Sequence, residues 1–169
     1  MNDELREKIF KQGKHNEGYY GGCAQCVLLT LSQTVMEIDP IVIRSATALM
    51  GGGVRMGNSC GAFNGGLMAI SYVTGRNPDN MDDKEAVTNT VTPARELYYR
   101  FMENYHSVLC RGIHKKLFGR TFDMSTPEGV QEFIDAGGHD GYCDNLVGTT
   151  SVWVAEILEK YGDLDLRDK

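Results

Sequence analysis

The strongest helical pattern in the chain is CGAFNGGLMAI, which spans residues 60–70. Gly61, Gly65 and Ala69 are spaced four apart, so a helix here carries a stripe of small residues along one face. Glycine inside a helix costs roughly 1 kcal/mol relative to alanine. The stripe therefore predicts a helix that packs closely against a neighbour, and we expect that neighbour to bring a second cysteine near Cys60.

The rest of the chain also follows helical rather than strand periodicity, with apolar residues three or four positions apart. Capping residues and helix breakers predict helices at about 3–12, 22–37, 40–50, 60–74, 92–106, 110–118, 125–136 and 143–161. Residues 76–92 are polar and acidic, which predicts a connecting loop. We therefore expect residues 1–169 to form a single compact all-α domain, a bundle of seven or eight helices.

Composition narrows the class of protein. The chain has 169 residues, 41% of them hydrophobic, which is enough to bury a core. A net charge of −6 without a basic stripe argues against nucleic acid as a partner. No apolar run is long enough to cross a membrane, and the charged first residues, MNDELREK, do not resemble a signal peptide. We therefore expect a cytoplasmic protein with no membrane partner.

The cysteines are the candidate functional residues. There are five, an odd number that argues against a disulfide framework in a reducing compartment. Four of them fall in the first turn of a predicted helix: Cys23, Cys60, Cys110 and Cys143. Free N–H groups and the dipole at a helix N-terminus lower the pKa of a thiol. We expect these four to share one site at converging helix N-termini; the alternative is that each is a small buried hydrophobic residue.

Two further signals are weaker. Cys23 and Cys26 form a C-x-x-C motif, but neither a βαβ context nor a second pair accompanies it. Cys26 is therefore a core residue, a resolving thiol or a fifth ligand, with the core slightly favoured. Among the histidines, His114 shares a helix face with Cys110, and His139 precedes Cys143 by four residues; each is a possible ligand or proton donor, and more often a surface or capping residue.

The cysteine pattern resembles a known family. Gly22-Cys23-Ala24, the glycine run 51–53, Cys60-Gly61-Ala62 with Gly65, and the single later cysteines resemble the C_GCAxxG_C_C family over residues 18–158. Its members are small proteins described as redox-active. The resemblance implies that Cys23, Cys60, Cys110 and Cys143 are the four characteristic cysteines. A related domain at the start of split-Soret cytochrome c resembles an iron–sulfur site, but this chain lacks the C-x-x-C-H haem motif.

Three functions remain open at this point. In the first, the four cysteines bind an iron–sulfur cluster, with [2Fe–2S] fitting the ligand set, and transfer electrons to a redox partner protein; zinc would make the site structural instead. In the second, the chain is a metal-free thiol–disulfide switch or oxidoreductase, with Cys23 and Cys60 or Cys23 and Cys26 as the reacting pair. In the third, it is a structural or binding module with packed cysteines. An exposed small-residue helix face would also permit a homodimer.

Overall fold

The structure is a computed structural model that describes residues 1–162 and residue 164. Its α-helices, in chain order, are α1 (Asp3–Tyr20), α2 (Cys23–Thr34), α3 (Pro40–Ser45), α4 (Gly61–Thr74), α5 (Lys84–Tyr105), α6 (Cys110–Phe118), α7 (Pro127–Asp135) and α8 (Cys143–Tyr161). Thr47–Leu49 form a 3-10 turn, and Gly138–Tyr142 form a π-helical turn. No strand occurs in the described residues, which confirms the all-α prediction. None of the helices described here combines the length and apolar character needed to span a bilayer.

Helix α8 is the centre of the bundle and contacts α1, α2, α4 and α5. Val147, Val154 and Ile157 of α8 are completely buried, and each such side chain contributes about 1.5–3 kcal/mol when removed from water. Helix α1 lies very close to α8: a Cβ atom added to Gly13 would be only 2.9 Å from the Cα atom of Gly148. The core therefore forms around α8. This core and the connecting loops position the starts of α2, α4, α6 and α8.

Capping residues set several helix starts where the sequence predicted them. An Asp39 Oδ1 atom accepts a hydrogen bond from the N–H of Ile41 at 2.9 Å, and Oγ1 of Thr126 accepts one from the N–H of Gly129 at 3.1 Å. These bonds satisfy N–H groups that have no partner within the helix. The predicted bounds of the helices at 110–118 and 143–161 are confirmed.

The predicted end of the first helix near residue 12 is wrong. Helix α1 continues through Gly13 to Tyr20. Gly13 is a weak helix former, but it allows the close contact with α8 described above, and tertiary packing overrides its low propensity. The continuation matters for the site, because it carries Glu17 into the interior.

The predicted connecting loop at 76–92 is wrong over its second half. Helix α5 begins at Lys84, where the side chain of Asp83 accepts a hydrogen bond from the N–H of Ala86 at 2.8 Å. Oγ1 of Thr90 donates a hydrogen bond to the carbonyl of Thr74 at 2.7 Å, which ties this part of α5 to the end of α4. The polar residues that suggested a loop are mostly exposed on the first turns of α5, and Pro93 lies inside the helix.

Candidate functional site

Each of the four cysteines singled out from the sequence stands at the start of a helix. Cys23, Cys110 and Cys143 are the first residues of α2, α6 and α8, and Cys60 directly precedes α4 as its N-cap. Backbone N–H groups in the first turn of a helix have no helical acceptor. The four thiols therefore lie where unpaired donors are available to a sulfur atom.

These four cysteines line one cavity with a volume of about 300 Å³. Cys60, Cys110 and Cys143 are buried, and Cys23 is half-buried. The cavity lies between the starts of four helices on one side and α7 with the π-helical turn on the other, which contribute Phe133 and His139 to its wall. Cysteines from four separate segments of the chain thus line one cavity.

Helix α4 approaches α2 closely along the small-residue stripe. A Cβ on Gly61 would overlap the Sγ atom of Cys23, and a Cβ on Gly65 would lie 2.5 Å from the carbonyl oxygen of Ala24. Ala69 is completely buried. The prediction that this stripe brings a second cysteine beside α4 is confirmed. The stripe is buried within the chain, so it does not supply the exposed small-residue face that would permit a homodimer.

The glycine-rich loop before α4 ties the start of α4 to the start of α6. The N–H of Cys60 donates to the carbonyl of Val108 at 2.8 Å, and the N–H of Cys110 donates to the carbonyl of Asn58 at 2.6 Å. A Cβ on Gly52 would lie 2.8 Å from the Cβ of Cys110. The backbone thus fixes Cys60 and Cys110 relative to each other.

His114 contacts two of the cysteines. Its Nε2 atom lies 3.6 Å from Sγ of Cys110 and 3.9 Å from Sγ of Cys143. Its ring stacks on Phe133, with the ring centroids 5.0 Å apart. Burial lowers the pKa of His114 from 6.5 to about 4, so the imidazole is neutral at pH 7. The predicted alignment of His114 with Cys110 is confirmed, and the structure adds Cys143.

Glu17 is a cavity residue that sequence reasoning missed. Its side chain is only 3% exposed, and its Oε1 atom lies 3.3 Å from Nδ1 of His139, which also lines the cavity. Burial and the adjacent Glu17 carboxylate raise the pKa of Cys26. Cys26 itself is 1% exposed and belongs to the hydrophobic core, and its thiol donates to the carbonyl of Gly21 at 3.2 Å. Cys26 is thus packed beside the cavity wall.

One known protein family has the same pattern of cysteines as this chain. The family described as "Putative redox-active protein (C_GCAxxG_C_C)" matches residues 22–157. The chain belongs to this family. No curated protein and no solved structure matches the chain. The match starts directly before Cys23 and ends within α8, so it includes all four cavity cysteines, and the resemblance predicted from the sequence is confirmed.

Burial dominates the acid–base behaviour of the cysteines in this C_GCAxxG_C_C protein. It raises the pKa of Cys60 and Cys110 to about 12, and it also raises the pKa of Cys23 and Cys143. Backbone N–H groups in the first turn of α4 lower the pKa of Cys60, but by less than burial raises it. The expectation of thiols with lowered pKa values is therefore wrong. The N–H groups act in the predicted direction at Cys60, but a thiolate loses more on leaving water than they return.

Sulfur is the main donor type in the C_GCAxxG_C_C site, and Glu17, His114 and His139 also line the cavity. Within residues 1–162 and 164, no three His, Cys, Asp or Glu side chains are arranged to hold one metal ion. All five cysteines are free thiols. Thiolates are the ligands of iron–sulfur clusters and of structural zinc. The cavity therefore presents the thiols of Cys23, Cys60, Cys110 and Cys143 around one space.

Proposed function

We propose that this C_GCAxxG_C_C protein is a cytoplasmic redox protein that holds an iron–sulfur cluster, [2Fe–2S] in the simplest case, at Cys23, Cys60, Cys110 and Cys143. When bound, the cluster would supply one-electron transfer to and from a partner protein. The observation that carries the proposal is that the four family cysteines line a single cavity of about 300 Å³. Four cysteine thiolates are the common ligand set of such clusters.

Charge in the cavity supports a cationic occupant. Each of the four thiols has a raised pKa because of burial, and negative charge on the others raises the pKa of Cys143 further. Four thiolates in this space would repel one another strongly without a compensating positive charge. A group that supplies this charge would release the thiol protons as it binds.

Backbone donors support the same use of the cavity. The N–H groups of Gly51 and Ala24 are directed at the sulfur of Cys23, and those of Ala62 and Phe63 at the sulfur of Cys60. Hydrogen bonds to ligating sulfur atoms stabilise the thiolate form and tune the reduction potential of a cluster. The N–H groups at the helix starts would thus stabilise the thiolates that bind a cluster, although they do not bring the pKa of the free, buried thiols below its ordinary value.

Zinc is the less suitable occupant. A structural zinc site needs four donors closed around one ion. The described residues contain no set of even three side chains at that spacing. A cluster distributes its ligands over more than one metal atom, so it fits donors that surround a larger space.

A metal-free thiol–disulfide switch is the second candidate, because Cys23 is half-buried and lies close enough to Cys60 for negative charge on Cys60 to raise the pKa of Cys23. Joining the two sulfurs would pass two electrons to an oxidised partner and release two protons. The thiolate is the attacking species. The raised pKa of both thiols leaves little thiolate at pH 7, which makes this candidate weaker than the cluster.

Spectroscopy of protein purified without oxygen tests the proposal. We expect the visible absorption of an iron–sulfur cluster, and an electron paramagnetic resonance signal in one of two redox states. Cys60→Ser should lose both, whereas Cys26→Ser, the control at a buried cysteine in the core, should keep them. Colourless protein with stoichiometric zinc would contradict the cluster, as would colourless protein whose thiol count falls reversibly under mild oxidant. If every Cys→Ser variant has the same spectra and thiol reactivity as wild type, both redox functions are contradicted and a structural or binding module with packed cysteines remains.

A further inference from the structure

We propose that Arg55 binds the anionic group of a small organic carboxylate that enters the mouth of the cysteine cavity. The proposal rests on the redox function above and assigns a substrate class to the same site. Arg55 lines the cavity and is exposed to solvent. No carboxylate pairs with it among residues 1–162 and 164. Its guanidinium therefore has no ionic partner among the described residues and is available to an anion.

The backbone holds Arg55 in this place at a conformational cost. Gly51, Gly52, Gly53, Val54 and Arg55 all have positive φ, which is a left-handed turn. Val54 at 43° and Arg55 at 63° carry side chains that disfavour this region, and the branched Cβ of valine disfavours it most. Conformations of this kind persist where surrounding structure enforces them, and they are concentrated at binding sites.

Hydrogen bonds fix the same turn to the cysteine site. The N–H of Val54 donates to the carbonyl of Ala48 at 2.7 Å, and the N–H of Arg55 donates to the carbonyl of Met50 at 3.1 Å. The N–H of Gly51 in this turn is directed at the sulfur of Cys23. The same turn therefore carries both Arg55 and an N–H group that is directed at a cavity thiol.

The other residues that line the cavity indicate that the rest of the ligand is apolar. Met124, Val130, Phe133 and Ile134 form an apolar wall contributed by α7 and the segment before it. Glu17 also lines the cavity, but its carboxylate is buried against His139. Arg55 is thus the charge that an entering molecule meets from solvent. A molecule with a carboxylate at one end and an apolar body fits both features.

Equilibrium dialysis of the full chain, purified without oxygen, tests this inference with two probes of equal shape. Benzoate carries the carboxylate and benzamide is its neutral counterpart. We expect saturable benzoate binding that is clearly tighter than benzamide binding. Arg55→Gln should weaken benzoate binding by about tenfold, the effect of losing one charged hydrogen bond, and should leave benzamide binding within twofold of wild type. Arg55→Lys should restore part of the loss.

Arg111→Gln is the matched control, because it removes the same charge. The N–H of Arg111 bonds to the carbonyl of Gly57, close to the turn, and Arg111 does not line the cavity. Arg111→Gln should bind benzoate like wild type. Absence of saturable benzoate binding overturns the inference, and so does equal weakening by both substitutions. Iron content measured on the same samples separates the two proposals. If iron-free protein binds benzoate in a way that depends on Arg55, the cluster proposal is contradicted and the carboxylate site is not.

Discussion

Gly61 of α4 lies directly against the Sγ atom of Cys23 in α2, and the space between them does not admit a Cβ atom. The contact joins the two parts of the family motif, GCA at residues 22–24 and CGA at residues 60–62. It explains why the residue after Cys60 must be small. It also means that the position of one cavity thiol depends on a glycine in another helix.

Gly61→Ala should destabilise the protein by about 1–3 kcal/mol, because the added methyl group overlaps Sγ of Cys23 and lies 2.9 Å from the carbonyl oxygen of Leu49. Urea unfolding measures the loss. Ser71→Ala, on the exposed face of the same helix, is the control and should change stability by less than about 0.5 kcal/mol. Equal stability of Gly61→Ala and wild type would show that the contact is not tight.

His114 should make the protein less stable in mild acid. Burial lowers the pKa of His114 to about 4 in the native state, against 6.5 for an unperturbed histidine. Between these two pH values the unfolded chain binds a proton that the native protein does not, so stability is lost as pH falls from 6.5 to 4, by up to about 3 kcal/mol. Above pH 6.5 this histidine contributes no pH dependence.

His114→Phe should remove that part of the acid dependence, because a phenyl ring can occupy the same site beside Phe133 without titrating. The measurement is the free energy of unfolding in urea at pH 4.5 and pH 7 for both proteins. His15→Gln, at an exposed histidine of α1, should keep the wild-type dependence. The same acid dependence in His114→Phe as in wild type would show that His114 is not buried as neutral imidazole.

Metal-free protein should lose stability at alkaline pH. Cys60 and Cys110 have a pKa of about 12 in the native state, against 9.0 for an ordinary thiol. As pH rises above 9, the unfolded chain releases protons that the native thiols retain, and each cysteine contributes a loss of up to about 1.4 kcal/mol per pH unit. The free energy of unfolding of Cys60→Ala, measured in urea, should fall less steeply between pH 8.5 and 10 than that of wild type. An equally steep fall in both proteins would refute the raised pKa of this thiol.

Glu17→Gln should lower the pKa of Cys26. Burial is the main reason why that pKa is raised, and the charge and hydrogen bonding of Glu17 add to it. A pH titration of the ¹³Cβ chemical shift of Cys26 measures the change. Asp144→Asn is the control, since Asp144 is an equally buried carboxylate that accepts the N–H of Gly141 at 2.7 Å. A Cys26 pKa that moves equally in both variants would show that Glu17 has no specific effect.

Local sequence signals predicted much of the fold and the cysteine placement. Gly119 and Gly162 mark the ends of α6 and α8, and a C-terminal glycine acts within one turn of its helix. The stripe at Gly61 and Gly65 even predicted a contact between helices, because small residues at that spacing have few other uses. These signals are local, or follow from helix periodicity, so they can be read without knowledge of the fold.

Features that depend on burial could not be read in the same way. Glu17 follows Leu5, Ile9 and Gly13 at intervals of four, so it lies on the buried face of α1, but a predicted helix end near residue 12 hid that pattern. The direction of the cysteine pKa shifts was wrong for a related reason. The helix start is visible in the sequence, whereas the exclusion of water from the thiol depends on the packing of four other segments.

Iron and acid-labile sulfide, measured per chain in protein purified without oxygen, test the proposed cluster most directly. Wild type and Cys26→Ser should contain both in equal amounts, and Cys60→Ser should contain little of either while circular dichroism shows that it remains folded. Wild-type protein without iron and sulfide would contradict the cluster, and so would a folded Cys60→Ser variant with the wild-type content of both.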